Sequence, residues 1–278
     1  MPKLSRTLQN PSGRHTLGGM TGPEIKVLPD PASVAREAAE RFVRLAREAI
    51  ADHGRFSVAL AGGSTPKAMY ELLAAEPLRS QVDWARVLAF FGDERCVPPD
   101  HKDSNYRMAE QALLTKVPIP GDNVYRMRGE TDPNEAAKEY GLTLKEMFPS
   151  TNSGQGGGGE GGNGGGLDLV LLGMGDDGHT LSLFPGTAAV GEREHRVVAN
   201  YAEKSTTGKS WRITMTAPFV NRARHVIVAV TGAGKAGRVK EVLEGPREPD
   251  RLPIQLIQPT TGTMTWLLDT GAAGMREA

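Results

Sequence analysis

Four short apolar runs, FSVALA (56–61), VLAFF (87–91), LDLVLL (167–172) and HVIVAV (225–230), are each followed within two residues by a glycine. Runs of five or six apolar residues are too short for buried helices and suit strands covered on both faces. Amphipathic segments lie between them. In residues 30–53, Asp30 holds an N-cap position, Pro31 the first helical position and Gly54 the stop. Val34, Ala38, Phe42, Leu45 and Ala49 recur there at steps of three or four, which gives one buried helix face. PKAMYELLAA opening on Pro66, SNYRMAEQALL capped by Ser104, NEAAKEYGLTLKEMF after Pro133, and KAGRVKEVLEG stopped by Gly245 and Pro246 read as further helices. HRVVANY and WRITMT are additional strand candidates, and GDERCVPPDHKD reads as a long loop. Strands alternating with helices predict an α/β fold whose mostly parallel sheet is covered on both faces. Ligands of such sheets bind beyond the carboxyl ends of the strands. The loops after Ala61, Phe91, Leu172 and Val230 are therefore the ones expected to carry chemistry.

The chain has 34 glycines in 278 residues, and ten of them fall between Gly154 and Gly166. A stretch so poor in apolar side chains cannot bury surface, so the spacing predicts a flexible Gly-rich insertion at 150–166. Residues 1–22 contain no apolar run of the length a signal peptide requires and are read as a disordered leader, leaving 23–278 as a single domain. Thirty-three basic residues balance 33 acidic ones, so neither nucleic acid nor an anionic membrane is an expected partner. Cys96 is the only cysteine, which excludes an internal disulfide and fits a reducing cytoplasmic setting.

Two stretches match the dinucleotide fingerprint G-x-G-x-x-G. In the first, Gly173, Gly175 and Gly178, the acids Asp176 and Asp177 would meet a pyrophosphate. In the second, Gly232, Gly234 and Gly237, no clear acid is read at the end of the next strand to hold a ribose, and Lys235 points to a single phosphate. Walker A is absent. The GGSTP turn places Gly63, Ser64 and Thr65 at a helix N-terminus, where amides and hydroxyls can hold a phosphate or carboxylate, or simply cap the helix. Asp93, Glu94 and Arg95 follow a buried strand and are either a salt-bridge cluster or a carboxylate and guanidinium for proton work and anion recognition. His179, two residues after Asp177 in GDDGH, is the histidine best set for proton transfer near neutral pH. No cofactor is expected, and one Asp–His pair does not make a metal site.

Taken together, AGGSTP, FFGDERCVPP with SNYRMA, LLGMGDDGHTLSLFPG, RITMTAPFVNRARHVIVAVTGAGKA and TWLLD resemble the 6-phosphogluconolactonase family over about residues 25–270. The resemblance implies a three-layer α/β/α, modified Rossmann-like fold. It implies a small phosphosugar lactone as substrate, held at its phosphate by Gly63, Ser64, Thr65, Arg212 and Lys235. It also implies His179 as base, Asp93 and Asp177 lining the site, and no cofactor or metal. Arg95 or loop amides are candidates to stabilise the oxyanion, and either acid could orient His179. A monomer or weak homo-oligomer is expected. The related glucosamine-6-phosphate deaminase/isomerase branch shares the Asp93 and Asp-Gly-His positions but carries a Glu five residues after the His, where this chain has Phe184. A sugar-phosphate isomerase is thus the second reading, and a non-catalytic sugar-phosphate sensor the third.

Overall fold

A computed structural model describes residues 22–149, 165–203 and 210–275. The elements run β1 (Glu24–Leu28), α1 (Pro31–His53), β2 (Phe56–Leu60), α2 (Ser64–Leu73), β3 (Val87–Phe91), β4 (Asp93–Arg95), α3 (Asn105–Ala109) and α4 (Pro133–Met147). After these come β5 (Leu169–Leu172), β6 (Val197–Ala202), β7 (Ser210–Met215), α5 (Ala217–Val220), β8 (His225–Val230), α6 (Ala236–Glu244) and β9 (Thr263–Asp269).

Six strands form one sheet in the order β1-β9-β8-β5-β2-β3, with every pair parallel. Side chains alternate between its faces. Leu169, Leu171, Ile227 and Leu267 join the core under α1 and α2, whereas Val170, Leu172, Val226, Val228, Trp266 and Leu268 join the core shared with α4, α5 and α6. This is the α/β/α layering expected. α1 starts and stops where its caps predict: Asp30 accepts from the Ser33 N–H at 2.7 Å, and Gly54 closes the helix at φ 83°. The segment after Ser104 begins as α3 and widens into a π-helical turn over Glu110–Leu114.

Three features differ from the sequence reading. HRVVANY and WRITMT supply β6 and β7, but these pair antiparallel with each other and with β4 in a separate three-stranded sheet. Part of the loop read at GDERCVPPDHKD is therefore strand, made so by a partner more than a hundred residues away. Gly165 and Gly166, assigned to the flexible insertion, are buried, and a Cβ on either would overlap Arg222. The rest of the insertion, and the leader apart from exposed Gly22, lie outside the described residues.

β1 occupies the sheet edge and carries only modest apolar character. Arg41 of α1 donates to both carboxylate oxygens of Glu24 at 2.8 Å, and Thr265 of β9 donates to one of them at 3.0 Å. The Arg41 hydrogen bonds are the main cause that holds the Glu24 pKa at about 2, against an ordinary 4.5. A carboxylate with a lowered folded-state pKa stabilises the fold above its unfolded value and loses that contribution as pH falls towards the folded one. The side chain is 53% exposed, so solvent limits the effect to about 1 kcal/mol. Glu24→Gln is expected to lower stability by that amount at pH 7, with the difference closing between pH 4.5 and about 2; urea unfolding at both ends of the window checks it, and a constant difference would contradict it.

Candidate active site

The carboxyl ends of β2, β3, β5 and β8 surround a cleft of about 290 Å³. Gly63, Ser64, Thr65, Asp93, Arg95, His179 and Lys235 all line it, whereas Asp177, expected to line the site, stands behind His179 and does not border the cleft. A larger hollow of about 820 Å³ opens near Arg41, His225 and Trp266, and none of the site residues proposed from sequence borders it.

Two buried tyrosines fix the strand ends above which the cleft opens. From α2, the Tyr70 hydroxyl accepts from the Ala61 N–H and donates to the Ala61 carbonyl, both at 2.9 Å. From α4, the Tyr140 hydroxyl accepts from the Phe91 N–H at 2.9 Å and donates to the Tyr125 carbonyl at 3.0 Å. Burial pushes both phenols well above their ordinary pKa. Directly after Ala61, Gly62 packs so closely on Asn105 that a Cβ would overlap its amide. Gly63 then turns at φ 109° into α2, leaving the first amides of that helix without intrahelical partners. Thr65 meets Thr231 at 3.0 Å between hydroxyls, which ties this helix start to the loop that carries Lys235. The same loop is anchored by Asp269, the acid at the end of β9 that the sequence reading took to be lacking, whose carboxylate oxygens each accept from the Gly232 N–H at 3.0 Å and so bind the protein's own loop.

Opposite, the loop after β5 folds back on itself: the Gly175 N–H donates to the His179 carbonyl at 2.9 Å, and Gly178 turns at φ 84°. This brings Asp177 Oδ1 to 2.5 Å from His179 Nδ1. A carboxylate only accepts, so in the neutral ring Nδ1 carries the proton and Nε2 keeps a lone pair. Burial acts to raise the Asp177 pKa, but the hydrogen bond and charge of His179 outweigh it and hold the carboxyl below its ordinary value. The ring of Phe184 lies 4.6 Å from the imidazole.

Asp93 is engaged elsewhere. Ser182 donates to its Oδ2 at 2.6 Å and Asn105 to its Oδ1 at 3.2 Å. Leu181, directly before Ser182, adopts φ 53°, a conformation uncommon for a side chain of this size. Glu94 faces inward and accepts from the Asn105, Tyr106 and Arg95 N–H groups and from the Ser104 hydroxyl. Burial raises its pKa despite these donors, and its role is to hold the start of α3. Arg95 donates to the Asp103 carbonyl at 2.5 Å. Arg212 is the expected anchor that does not border the cleft. It is buried opposite Arg95 in the β4–β7 register, its guanidinium donating to the Ser210 hydroxyl and the Trp211 carbonyl. Burial first, and the charge of Arg95 second, lower its pKa. Sequence reasoning missed Asn105, Ser182, Thr231 and Asp269. All four belong to the family-like motifs, but no local signal showed that Asn105 and Ser182 reach Asp93 or that Asp269 reaches Gly232. Among the described residues, no three His, Cys, Asp or Glu side chains gather as a metal site would require, and no helix is long and apolar enough to cross a membrane.

Comparison with known proteins defines the class. Residues 29–266 match the family model "Glucosamine-6-phosphate isomerases/6-phosphogluconolactonase", and the chain belongs to that family. Within it, the chain is similar to proteins named as 6-phosphogluconolactonases. The chain is 40% identical over 243 residues to probable 6-phosphogluconolactonase 3, chloroplastic, of Oryza sativa, covering 87% of this chain and 72% of the relative. It is 38% identical to 6-phosphogluconolactonase of a Nostoc species, covering 89% and 96%. The solved structure of 6-phosphogluconolactonase from Trypanosoma brucei superposes with a TM-score of 0.78 at 32% identity, covering 91% of this chain and 98% of that one.

Gly175 lines the cleft beneath the imidazole, and a Cβ there would overlap both His179 and the Asp177 carboxylate. Gly175→Ala is expected to leave the protein folded while displacing the ring and lowering turnover about 10²-fold, the scale of an ångström misplacement. Turnover measured beside a thermal melt tests this; wild-type turnover would show that the packing does not position His179.

Proposed function

We propose that the chain hydrolyses 6-phospho-D-glucono-1,5-lactone to 6-phosphogluconate, with His179 as the general base. The observation that carries this reading is one cleft lined by an imidazole whose Nδ1 is committed to Asp177, by the ammonium of Lys235 and by the start of α2. The match to 6-phosphogluconolactonases supports the substrate. A dianionic phosphate would be held by Lys235, the Ser64 and Thr65 hydroxyls and the first amides of α2. Arg95, with Arg212 one strand behind it, adds positive charge to the same wall. His179 Nε2 removes a proton from water, whose oxygen attacks C1. Arg95 or loop amides stabilise the tetrahedral oxyanion. As the intermediate collapses, the C1–ring oxygen bond breaks and the imidazolium returns its proton to the departing oxygen. Asp177 holds the imidazole, and Asp93, fixed by Ser182 and Asn105, offers a carboxylate to the sugar hydroxyls. The proposal includes action as a monomer or weak homo-oligomer in the cytoplasm, where a chain with one cysteine needs no disulfide.

The isomerase or deaminase reading is weaker, because Phe184 puts a ring against His179 where that branch would need a carboxylate.

General acid–base help contributes on the order of 10²–10⁴-fold. His179→Ala is expected to lose at least about 10² in turnover in an assay coupled to 6-phosphogluconate oxidation, and the wild-type protein to release no ammonia from glucosamine 6-phosphate. Near-normal hydrolysis by the variant would remove His179 from its role, and ammonia release would favour the other branch. Lys235→Glu is expected chiefly to raise KM; an unchanged KM would take Lys235 out of the phosphate site.

A further inference from the structure

The loop after β5 carries two successive acids. Asp177 serves His179, and Asp176 does something different: its Oδ1 lies 2.6 Å from Lys235 Nζ, which also donates to the Met174 carbonyl at 3.0 Å. The Asp176 backbone is held from α6, where Arg238 Nε donates to its carbonyl at 2.8 Å. The carboxylate itself is 75% exposed, whereas the Lys235 side chain is 24% exposed. A fixed backbone thus presents a solvated carboxylate to the ammonium read above as the phosphate anchor. Arg238 also pairs with Glu241 on α6, and Glu241 is shared with Arg251.

An exposed ion pair contributes little stability and is easily exchanged. A phosphate dianion brings more charge and also reaches the amides at the start of α2, so it can take the lysine from Asp176. The phosphate is remote from C1 and is the same group in lactone and in product. Binding energy gained there is uniform: it lowers KM without raising the rate of the chemical step, and it slows release of the product.

We propose that Asp176 is an intramolecular competitor for Lys235, weakening the phosphate subsite so that phosphorylated product leaves. The inference rests on Lys235 as the phosphate anchor. Asp176 acts through Lys235 and is a positioning residue rather than a catalytic one.

The test is a double-mutant cycle with Asp176→Asn and Lys235→Met, using the phosphorylated lactone as substrate and 6-phosphogluconate and inorganic phosphate as inhibitors. Asp176→Asn is expected to lower KM and both inhibition constants about two- to fivefold, the range of an exposed pair, and to leave KM for unphosphorylated gluconolactone as it was. In the Lys235→Met background it is expected to change none of these. Three results overturn the competitor role alone: constants unmoved by Asp176→Asn although Lys235→Met raises KM, an Asp176→Asn effect that survives without the lysine, or an equal gain for the unphosphorylated lactone. If Lys235→Met leaves KM for the phosphorylated lactone unchanged, the anchor reading fails, and the competitor role fails with it.

Discussion

At the end of each parallel strand the backbone leaves the hydrogen-bonded ladder, and its buried N–H and C=O groups need other partners. In this protein two phenol hydroxyls supply them, Tyr70 at Ala61 and Tyr140 at Phe91. An unpaired buried group would cost on the order of 1–3 kcal/mol. The placement matters more than the energy, because residues lining the cleft follow closely in both cases, Gly62 directly after Ala61 and Asp93 two residues after Phe91. The tyrosines belong to helices on opposite faces of the sheet. The cleft floor is therefore registered against both layers, and the GGSTP turn and Asp93 inherit a fixed starting point.

Much of this was legible locally. The ends of α1 follow from Asp30, Pro31 and Gly54, and the four core strands from apolar runs cut by glycine. The parallel sheet, and with it the cleft at the strand ends, follows from their alternation with helices. Contacts made across the chain were not legible. β4 is strand only because β7 lies beside it, and β1 holds the edge through Glu24, Arg41 and Thr265, which come from three separate segments. Sequence left open which acid serves His179, since both are plausible by type. The choice is made by the Gly175–Gly178 turn, which brings Asp177 to the ring, while Asn105 and Ser182 engage Asp93.

The glycines of GMGDDGH acquire a different explanation from the one their spacing suggests. In a dinucleotide site they would admit a pyrophosphate. Here Gly175 leaves room for an imidazole and Gly178 turns the chain, so the same letters serve a side chain of the protein itself. The acids between them then cease to be an objection. One faces the histidine, the other the lysine.

Phe184 bears on how the two branches of this family could have diverged. Its ring is 9% exposed and lies against His179. Exchanging it for glutamate alone would put a carboxylate into a slot shaped for an aromatic ring, where burial would drive it towards its neutral form unless a partner came with it. The same exchange would remove the wall beside the imidazole. Phe184 thus ties the packing around His179 to the charge around it, and a change at this position alters both.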